Sequence, residues 1–399
     1  MRIALIGAGH RGIHLVKLMT SDPHRATLVA VAEPRKDRQE NCRKVFSLPS
    51  SACFNDHKDL LAHRDKLGLD AAVIATNVAT HAEIACACLE AGIPIFLEKP
   101  MAKTIEDGWK IVELAERTKV LVQVGFNMRY SPFFIKLHEL ATSGEVGTII
   151  SVEWTEVIGA RHWADGYCRN PSYGVRDAVG TGLLEKSCHY MDMLRWIIGV
   201  PCERVASFGS RMYFLPRKEV PEKCSEKCPR YPYCIWKADL SGKGMASWLR
   251  PEEREVCVFH TSSDIVDHQN AILEFRGGSI VSFNLNPFGI TDRRYFMIYG
   301  TDGMIYGDTS TNKIHLRKVG SEEVIYDIER GVSGHGGADM RIANAFINFL
   351  NNPDDPMNRP KTGVLEGFEA VLMACAIEVA RREKRVVELE ELRKAYNFK

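Results

Sequence analysis

The chain opens with an apolar run, Arg2-Ile-Ala-Leu-Ile6, that breaks at once into Gly7-Ala-Gly9-His-Arg-Gly12 and resumes as Ile13-His-Leu-Val-Lys-Leu-Met19. This is G-x-G-x-x-G between a strand and a helix, the setting that separates a dinucleotide turn from a chance glycine cluster. Gly7 permits the tight turn, Gly9 lets the main chain approach a pyrophosphate, and Gly12 lets helix and strand pack closely. The helix N-terminus, with His10 and Arg11 in its first turn, offers N–H groups to phosphate. A second apolar strand, Leu28-Val-Ala-Val-Ala32, ends in Glu33, 21 positions after Gly12. A carboxylate there accepts hydrogen bonds from a free ribose and repels a 2′-phosphate. Arg35 and Lys36 pull the other way, because a nearby cation can hold that phosphate. NAD is the expected cofactor and NADP the second choice.

Strand and helix signals then alternate up to Gly125. Helices are expected near 56–63, 79–91 and 104–118, and Leu121-Val-Gln-Val-Gly125 is the closing strand. This rhythm predicts a doubly wound parallel sheet. Within it, Ala91-Gly-Ile-Pro-Ile-Phe-Leu-Glu98-Lys99-Pro100 is a buried strand that ends in a charged pair. Ligands of such sheets bind beyond the carboxyl ends of the strands, which is where Lys99 falls. Burial can tune a lysine there for chemistry; a solvated strand end is the plain alternative. From Ile149 the strands lengthen and alternate, and Val266–Phe275, Arg-Gly-Gly, Ser279–Phe283 reads as an antiparallel hairpin. Helices near 337–350 and 363–383 close the chain. The expected partition is a Rossmann dinucleotide-binding domain, 1–125, and a substrate-binding and oligomerisation α/β domain, 126–399, with a Cys-rich insert near 221–257.

Residues 182–199 read as one helix ending at Gly199. On its wheel Glu185, His189, Asp192 and Trp196 form a polar stripe opposite Leu183, Leu184, Met191, Leu194, Ile197 and Ile198. A solvated stripe is the plain reading, but Trp196 suits a pocket face better. Lys186 can pair with Glu185 or touch substrate. A loop between about 157 and 181 carries His162, Trp163, Tyr167 and Arg169, whose aromatic and hydrogen-bonding groups suit a sugar; ordinary surface packing is the alternative. His335 and Asp339, in a Gly-rich turn, can reach substrate or cap the following helix.

These motifs together resemble the Gfo/Idh/MocA oxidoreductases, the glucose-fructose oxidoreductase and inositol dehydrogenase group. The resemblance rests on Gly7-x-Gly9-x-x-Gly12, Ala71-Ala-Val-Ile-Ala-Thr76 with His81, Glu98-Lys99-Pro100, Glu185-x-x-x-His189-x-x-Asp192, Gly300-Thr-Asp-Gly303 and Gly334-His335-Gly-Gly337-Ala-Asp339. It implies a Rossmann domain followed by an α/β domain with a large, mostly antiparallel sheet. It implies NAD-dependent hydride transfer at a secondary alcohol of a sugar, glycoside or cyclitol. By resemblance His189 is the general acid or base and Lys99 orients the hydroxyl. Glu185 stands where the family often has Asp, which keeps the charge and changes its reach. The resemblance assigns cofactor contacts to Gly7, Gly9, His10, Arg11, Gly12, Glu33, Arg35, Thr76, Asn77, His81, Glu98 and Lys99. It assigns substrate contacts to Asn127, Arg129, Trp163, Tyr167, Lys186, Asp192 and His335, and implies sheet-to-sheet homo-oligomers, dimers or tetramers. Some relatives use the same machinery to cleave glycosides by transient oxidation and elimination, and a non-catalytic nucleotide- or sugar-binding protein is a third reading.

A net charge of +1 gives no electrostatic footprint for nucleic acid or an acidic membrane. No apolar run is long enough to span a bilayer, and Met1-Arg2 leads straight into the first strand rather than a signal peptide. A cytoplasmic, reducing setting is expected for the 12 cysteines. Cys224-x3-Cys228-x5-Cys234 lies in a Lys- and Pro-rich stretch, with Cys257 23 positions on. This spacing predicts a structural Zn²⁺ held by Cys224, Cys228, Cys234 and Cys257, with His260 as alternative fourth ligand. Free thiols or an incidental disulfide compete with that reading.

Overall fold

The computed structural model describes every residue except Glu226, Arg330, Val332, Ser333 and residues 396–399. The chain forms two compact units. The first is Met1–Ile135 with a return segment ending at Val371; the second is Lys136–Glu329 with the chain from Leu372 onward. The expected partition put the return segment in the second domain, whereas its contacts put it in the first.

The first unit holds six parallel strands, β1 (Arg2–Ile6), β2 (Thr27–Ala32), β3 (Cys53–Phe54), β4 (Ala71–Ile74), β5 (Ile95–Leu97) and β6 (Val122–Val124), in the order β3-β2-β1-β4-β5-β6. Strands β4, β5 and β6 are buried at every position, as expected where helices cover both faces. Helices His10–Met19, His81–Glu90 and Ile105–Thr118 make the crossovers. Thr104 caps the last of these, its side chain accepting from the Asp107 N–H. Because the strands run one way, the turns after β1, β4, β5 and β6 all emerge at one end of the sheet. The return helix Ala338–Asn351 adds Ile342, Ala343, Phe346 and Ile347 to a core that includes Ile3, Leu5, Leu15, Val16 and Phe96. Phe346 meets Phe96 edge-on at 5.8 Å.

The second unit is built on nine strands: β7 (Ile149–Gly159), β8 (Cys202–Ser210), β9 (His268–Phe275), β10 (Ile280–Gly289), β11 (Arg293–Gly300), β12 (Gly303–Asp308), β13 (Lys313–Lys318), β14 (Val324–Asp327) and β15 (Val387–Glu388). Their order is β14-β13-β12-β11-β7-β10-β9-β8-β15. Among the described residues of this sheet, only the β7–β10 pair is parallel. The expected hairpin is β9–β10, turned by Gly277 and Gly278 in left-handed conformation. One face is apolar and buried, with Trp154, Leu273, Phe283 and Phe296 among its members. Tyr190, from the helix Gly182–Ile198, packs on Trp154 and Phe283. Burying each such side chain stabilises the unit by about 2–3 kcal/mol. No helix of the described residues is long and apolar enough to cross a membrane.

Candidate active site

The three glycines of the first turn are required for different reasons. Gly7 has φ +94°, and a Cβ on it would lie 2.7 Å from the Ala75 carbonyl group. A Cβ on Gly12 would lie 2.4 Å from the Gly7 carbonyl oxygen. Gly9 is extended, at φ −72°, and a Cβ there would come no nearer than 3.9 Å, to the flexible end of Arg38. The protein's own packing therefore demands Gly7 and Gly12 but not Gly9; the space at Gly9 suits a close-lying phosphate. The helix starts at His10 with no side-chain cap and no acidic residue in its first turn, leaving its N-terminal dipole to an anion.

Glu33 is buried beside this turn. Its carboxylate accepts from the Ala8 N–H at 2.8 Å and the Arg35 N–H at 3.0 Å. The Arg35 guanidinium turns to Asp37, at 2.6 Å, and Lys36 donates to Asn55 at 2.6 Å. After β4, the Thr80 hydroxyl donates to Thr76 at 2.9 Å, and Asn77 caps its own turn by accepting from the Ala79 N–H at 3.0 Å. His81 departs from expectation. It is buried, with Nδ1 2.8 Å from the Pro100 carbonyl and Nε2 3.3 Å from that of Thr76. Burial lowers its pKa, and a neutral ring has one N–H to donate, which the shorter contact gives to the Pro100 carbonyl in the β5 turn.

The β5 turn is anchored by charge. Arg11 Nε donates to Glu98 at 2.7 Å, and its guanidinium also reaches Asp339 at 2.9 Å. The other Glu98 oxygen accepts from the Lys99 N–H at 3.0 Å. Asp339 in turn accepts from Asn127 Nδ2 at 2.8 Å and faces His335 Nδ1 at 2.9 Å and His14 Nε2 at 3.3 Å. Burial alone would raise Asp339, but the hydrogen bonds from His335 and Arg11 and the Arg11 charge hold it well below the usual carboxylate range. Burial likewise opposes the Arg11 charge, and Glu98 and Asp339 more than offset it.

Several expectations change here. Arg11, expected at the cofactor, spans two carboxylates with its side chain. Asn127 and His335, expected at substrate, hold Asp339. Arg129 is buried and donates to the Lys361 carbonyl at 3.1 Å. Asp339 does not cap its helix; Gly337 stands at the N-cap without a side-chain bond.

In the second unit, Thr181 caps the Gly182–Ile198 helix by accepting from the Leu184 N–H at 2.9 Å, and left-handed Gly199 ends it. The polar stripe is not solvated: Glu185 and Asp192 are buried, while Lys186 and His189 are half-buried. Trp196 stacks on His138 at 3.8 Å, which accounts for a tryptophan on that side. Lys186 faces Glu156 at 3.8 Å and lies 6.0 Å over the Tyr167 ring. Tyr167 is stacked on Trp163 at 4.7 Å. Burial, then the Glu185 charge, raises its pKa, so it stays a phenol. Arg169 is buried against Asp165 at 2.6 Å and serves structure.

Sequence reasoning missed Glu156, Asp292 and Arg294. Glu156 accepts from Ser187 at 2.7 Å and faces Arg294 at 3.9 Å. Asp292 takes His162 Nδ1 at 2.7 Å and the Gly159 N–H at 2.7 Å. A cue existed for the first: Glu156 lies on the same buried phase of β7 as Trp154 and Ile158, where a carboxylate needs partners.

Residues 1–126 match the family model described as "Oxidoreductase family, NAD-binding Rossmann fold", and residues 134–306 match the "GFO/IDH/MocA C-terminal domain". The chain belongs to the Gfo/Idh/MocA oxidoreductase family. Myo-inositol 2-dehydrogenase of Thermotoga maritima is 24% identical over 406 residues, covering 98% of this chain and 99% of that protein. The scyllo-inositol 2-dehydrogenase (NAD(+)) of Bacillus subtilis is 26% identical over 213 residues, 52% of this chain and 57% of that protein. A levoglucosan dehydrogenase solved with NADH and levoglucosan shares the fold, with a TM-score of 0.75 at 18% identity, covering 98% of this chain and 99% of that one. As a member of this family the chain is an NAD-binding oxidoreductase, and the open space at Gly9 and the fixed Glu33 carboxylate fit a dinucleotide.

Proposed function

We propose that this enzyme oxidises a secondary alcohol of a sugar, glycoside or cyclitol, with Lys99 and His189 as its catalytic residues. The observation that carries the reading is the Glu98–Arg11 ion pair. It fixes the Lys99 turn to the first helix turn of the dinucleotide motif, at the end of the sheet where nucleotides bind. The names of the inositol and levoglucosan dehydrogenases support the substrate class.

Hydride acceptance is the chemistry NAD⁺ supplies when bound. Gly7, Gly9, His10 and Gly12 would hold its pyrophosphate, Glu33 its ribose, and Thr76 and Asn77 the stretch after β4. Glu33 favours NAD over NADP, and Arg35 and Lys36 are engaged elsewhere. Lys99 Nζ orients the alcohol oxygen. The His189 imidazole takes the hydroxyl proton as the carbon loses hydride, so the alcohol becomes a carbonyl. Glu185 tunes this region electrostatically, and Lys186, Asp192, Trp163 and Tyr167 shape substrate selection.

A homo-oligomer and a cytoplasmic setting belong to this proposal. The outer face of the large sheet exposes Phe208, Ile272, Ile280 and Tyr295, and no disulfide joins any of the 12 cysteines. Any Zn²⁺ is structural and lies in the insert, apart from hydride transfer.

The test is a panel of inositols, sugars and glycosides, followed by nucleotide absorbance and product analysis. Stoichiometric NADH with freely exchanging nucleotide is expected. Glycone release with no net NADH would instead mean oxidation–elimination. Lys99→Ala and His189→Ala should each lower turnover about 100-fold or more while keeping nucleotide affinity. Near wild-type turnover in both folded variants would refute the assigned chemistry.

A further inference from the structure

Residues 211–267 join β8 to β9. Their described part holds three short helical segments, Tyr231–Tyr233, Gly244–Trp248 and Pro251–Arg254, and a single bridge between Lys223 and Val256. A stretch this long with so little regular structure needs some other constraint. Part of it is aromatic: Phe214 packs on Trp236 at 4.9 Å and on Phe288 at 5.7 Å.

Beside this cluster the chain encloses a cavity of about 10 Å³. Cys224, Cys228, Cys234 and Cys257 all line it, with Trp236 and Phe259. A space of that size suits one ion or one water, not an organic ligand. Local spacing does not explain the convergence, since Cys257 comes from the far end of the insert. Two main-chain hydrogen bonds bring it there. The Cys224 N–H donates to the Glu255 carbonyl and the Cys257 N–H to that of Glu222, both at 2.7 Å. The Tyr231 N–H closes a turn on the Cys228 carbonyl at 2.9 Å, and the Lys237 N–H donates to the Cys234 carbonyl at 3.3 Å. The Ala238 N–H points at Cys224 Sγ, 3.2 Å away, a bond that strengthens when the sulfur is charged. Buried Arg169 ties the walls together, donating to the Val256 carbonyl at 2.8 Å and the Trp236 carbonyl at 2.5 Å.

We propose that Cys224, Cys228, Cys234 and Cys257 bind one structural Zn²⁺ in the cavity they line. Among the described residues, no three His, Cys, Asp or Glu side chains stand in coordinating geometry. A tetrahedral Cys₄ site brings its sulfurs to roughly 3.8 Å from one another, and only the cation offsets the repulsion of thiolates that close. His260 does not line this cavity, and its Nε2 lies 3.0 Å from the Arg217 and Val220 carbonyls. Four thiolates close the coordination shell and leave no position for water, so the ion holds the insert and takes no part in oxidation.

The test uses the full chain, purified without chelator or metal-affinity resin. Elemental analysis should find about one zinc per chain. Cys224→Ser and Cys257→Ser should each bring it near zero, while Cys86→Ser leaves it unchanged. Stripped wild-type chain given Co²⁺ should develop thiolate charge-transfer and tetrahedral ligand-field bands, and that spectrum decides the matter if the serine variants do not fold. Metal-free protein that gives no such Co²⁺ spectrum, iron with labile sulfide, or a disulfide among the four cysteines overturns the proposal.

Discussion

The charged corner of the first unit and the cysteine-lined insert of the second hold their chemistry in opposite ways. In the corner, regular structure aims each carboxylate. Glu33 follows β2, Glu98 follows β5, and each is met by main-chain N–H groups or by Arg11 from the first helix. In the insert the described residues form no strand, and Trp236 and Phe214 hold it by packing on each other and on Phe288 of β10. The corner should therefore fail through charge and close main-chain approach, the insert through lost apolar contact.

The largest effect should come from the insert. Trp236 is buried and donates from Nε1 to the Tyr213 hydroxyl at 3.1 Å. Trp236→Ala should cost about 3–5 kcal/mol locally, read as an early melting step and protease cuts within 211–267. NAD affinity measured by calorimetry should not change; a parallel loss would mean the two regions do not act independently.

Next is the charge network. Asp339→Ala removes the shared partner of Arg11, His14, His335 and Asn127 and should destabilise the first unit by about 3 kcal/mol. The folded-state pKa of Asp339 is depressed, so the unfolded chain binds its proton more readily. Its contribution is whole above about pH 4 and is lost as the pH falls below that value. Asp339→Asn should accordingly flatten the acid limb of the stability curve in denaturant titrations. An unchanged acid limb would assign acid sensitivity to other carboxylates.

The smallest effect sharpens the contrast within the turn itself. Gly12→Ala should lose about 1–3 kcal/mol of stability, because main chain blocks the new methyl. Gly9→Ala should melt like wild type and bind NAD about tenfold more weakly, which is about 1.4 kcal/mol. Equal melting losses in both variants would refute the reading of Gly9 as ligand space.

Much of the first sheet was legible because its signals are local. The glycine turn, the alternation of strand and helix, and the apolar runs of β4 and β5 each fit within a few residues. The Gly182–Ile198 helix was equally plain from its apolar arc and Gly199. Asp339 was not, since its partners Arg11 and His14 lie more than 300 positions away and leave no periodic trace. Arg11 and Asn127 looked like ligand contacts because a polar residue near a motif gives no sign of an internal partner. The two carbonyl neighbours of His81 were illegible too, because main-chain atoms are invisible to residue type.

The return segment has a bearing on how the chain is made. The dinucleotide motif leaves the ribosome long before the return segment, yet Phe96 waits for Phe346, and Arg11 waits for Asp339. Domains commonly fold in order of synthesis, but here β1 and β5 cannot bury their last apolar face until the Ala338–Asn351 helix has emerged. During translation the nascent half would carry an uncovered greasy surface through the synthesis of all nine strands of the second sheet but β15. An enzyme so threaded depends on whatever shields unfinished chains in the cell.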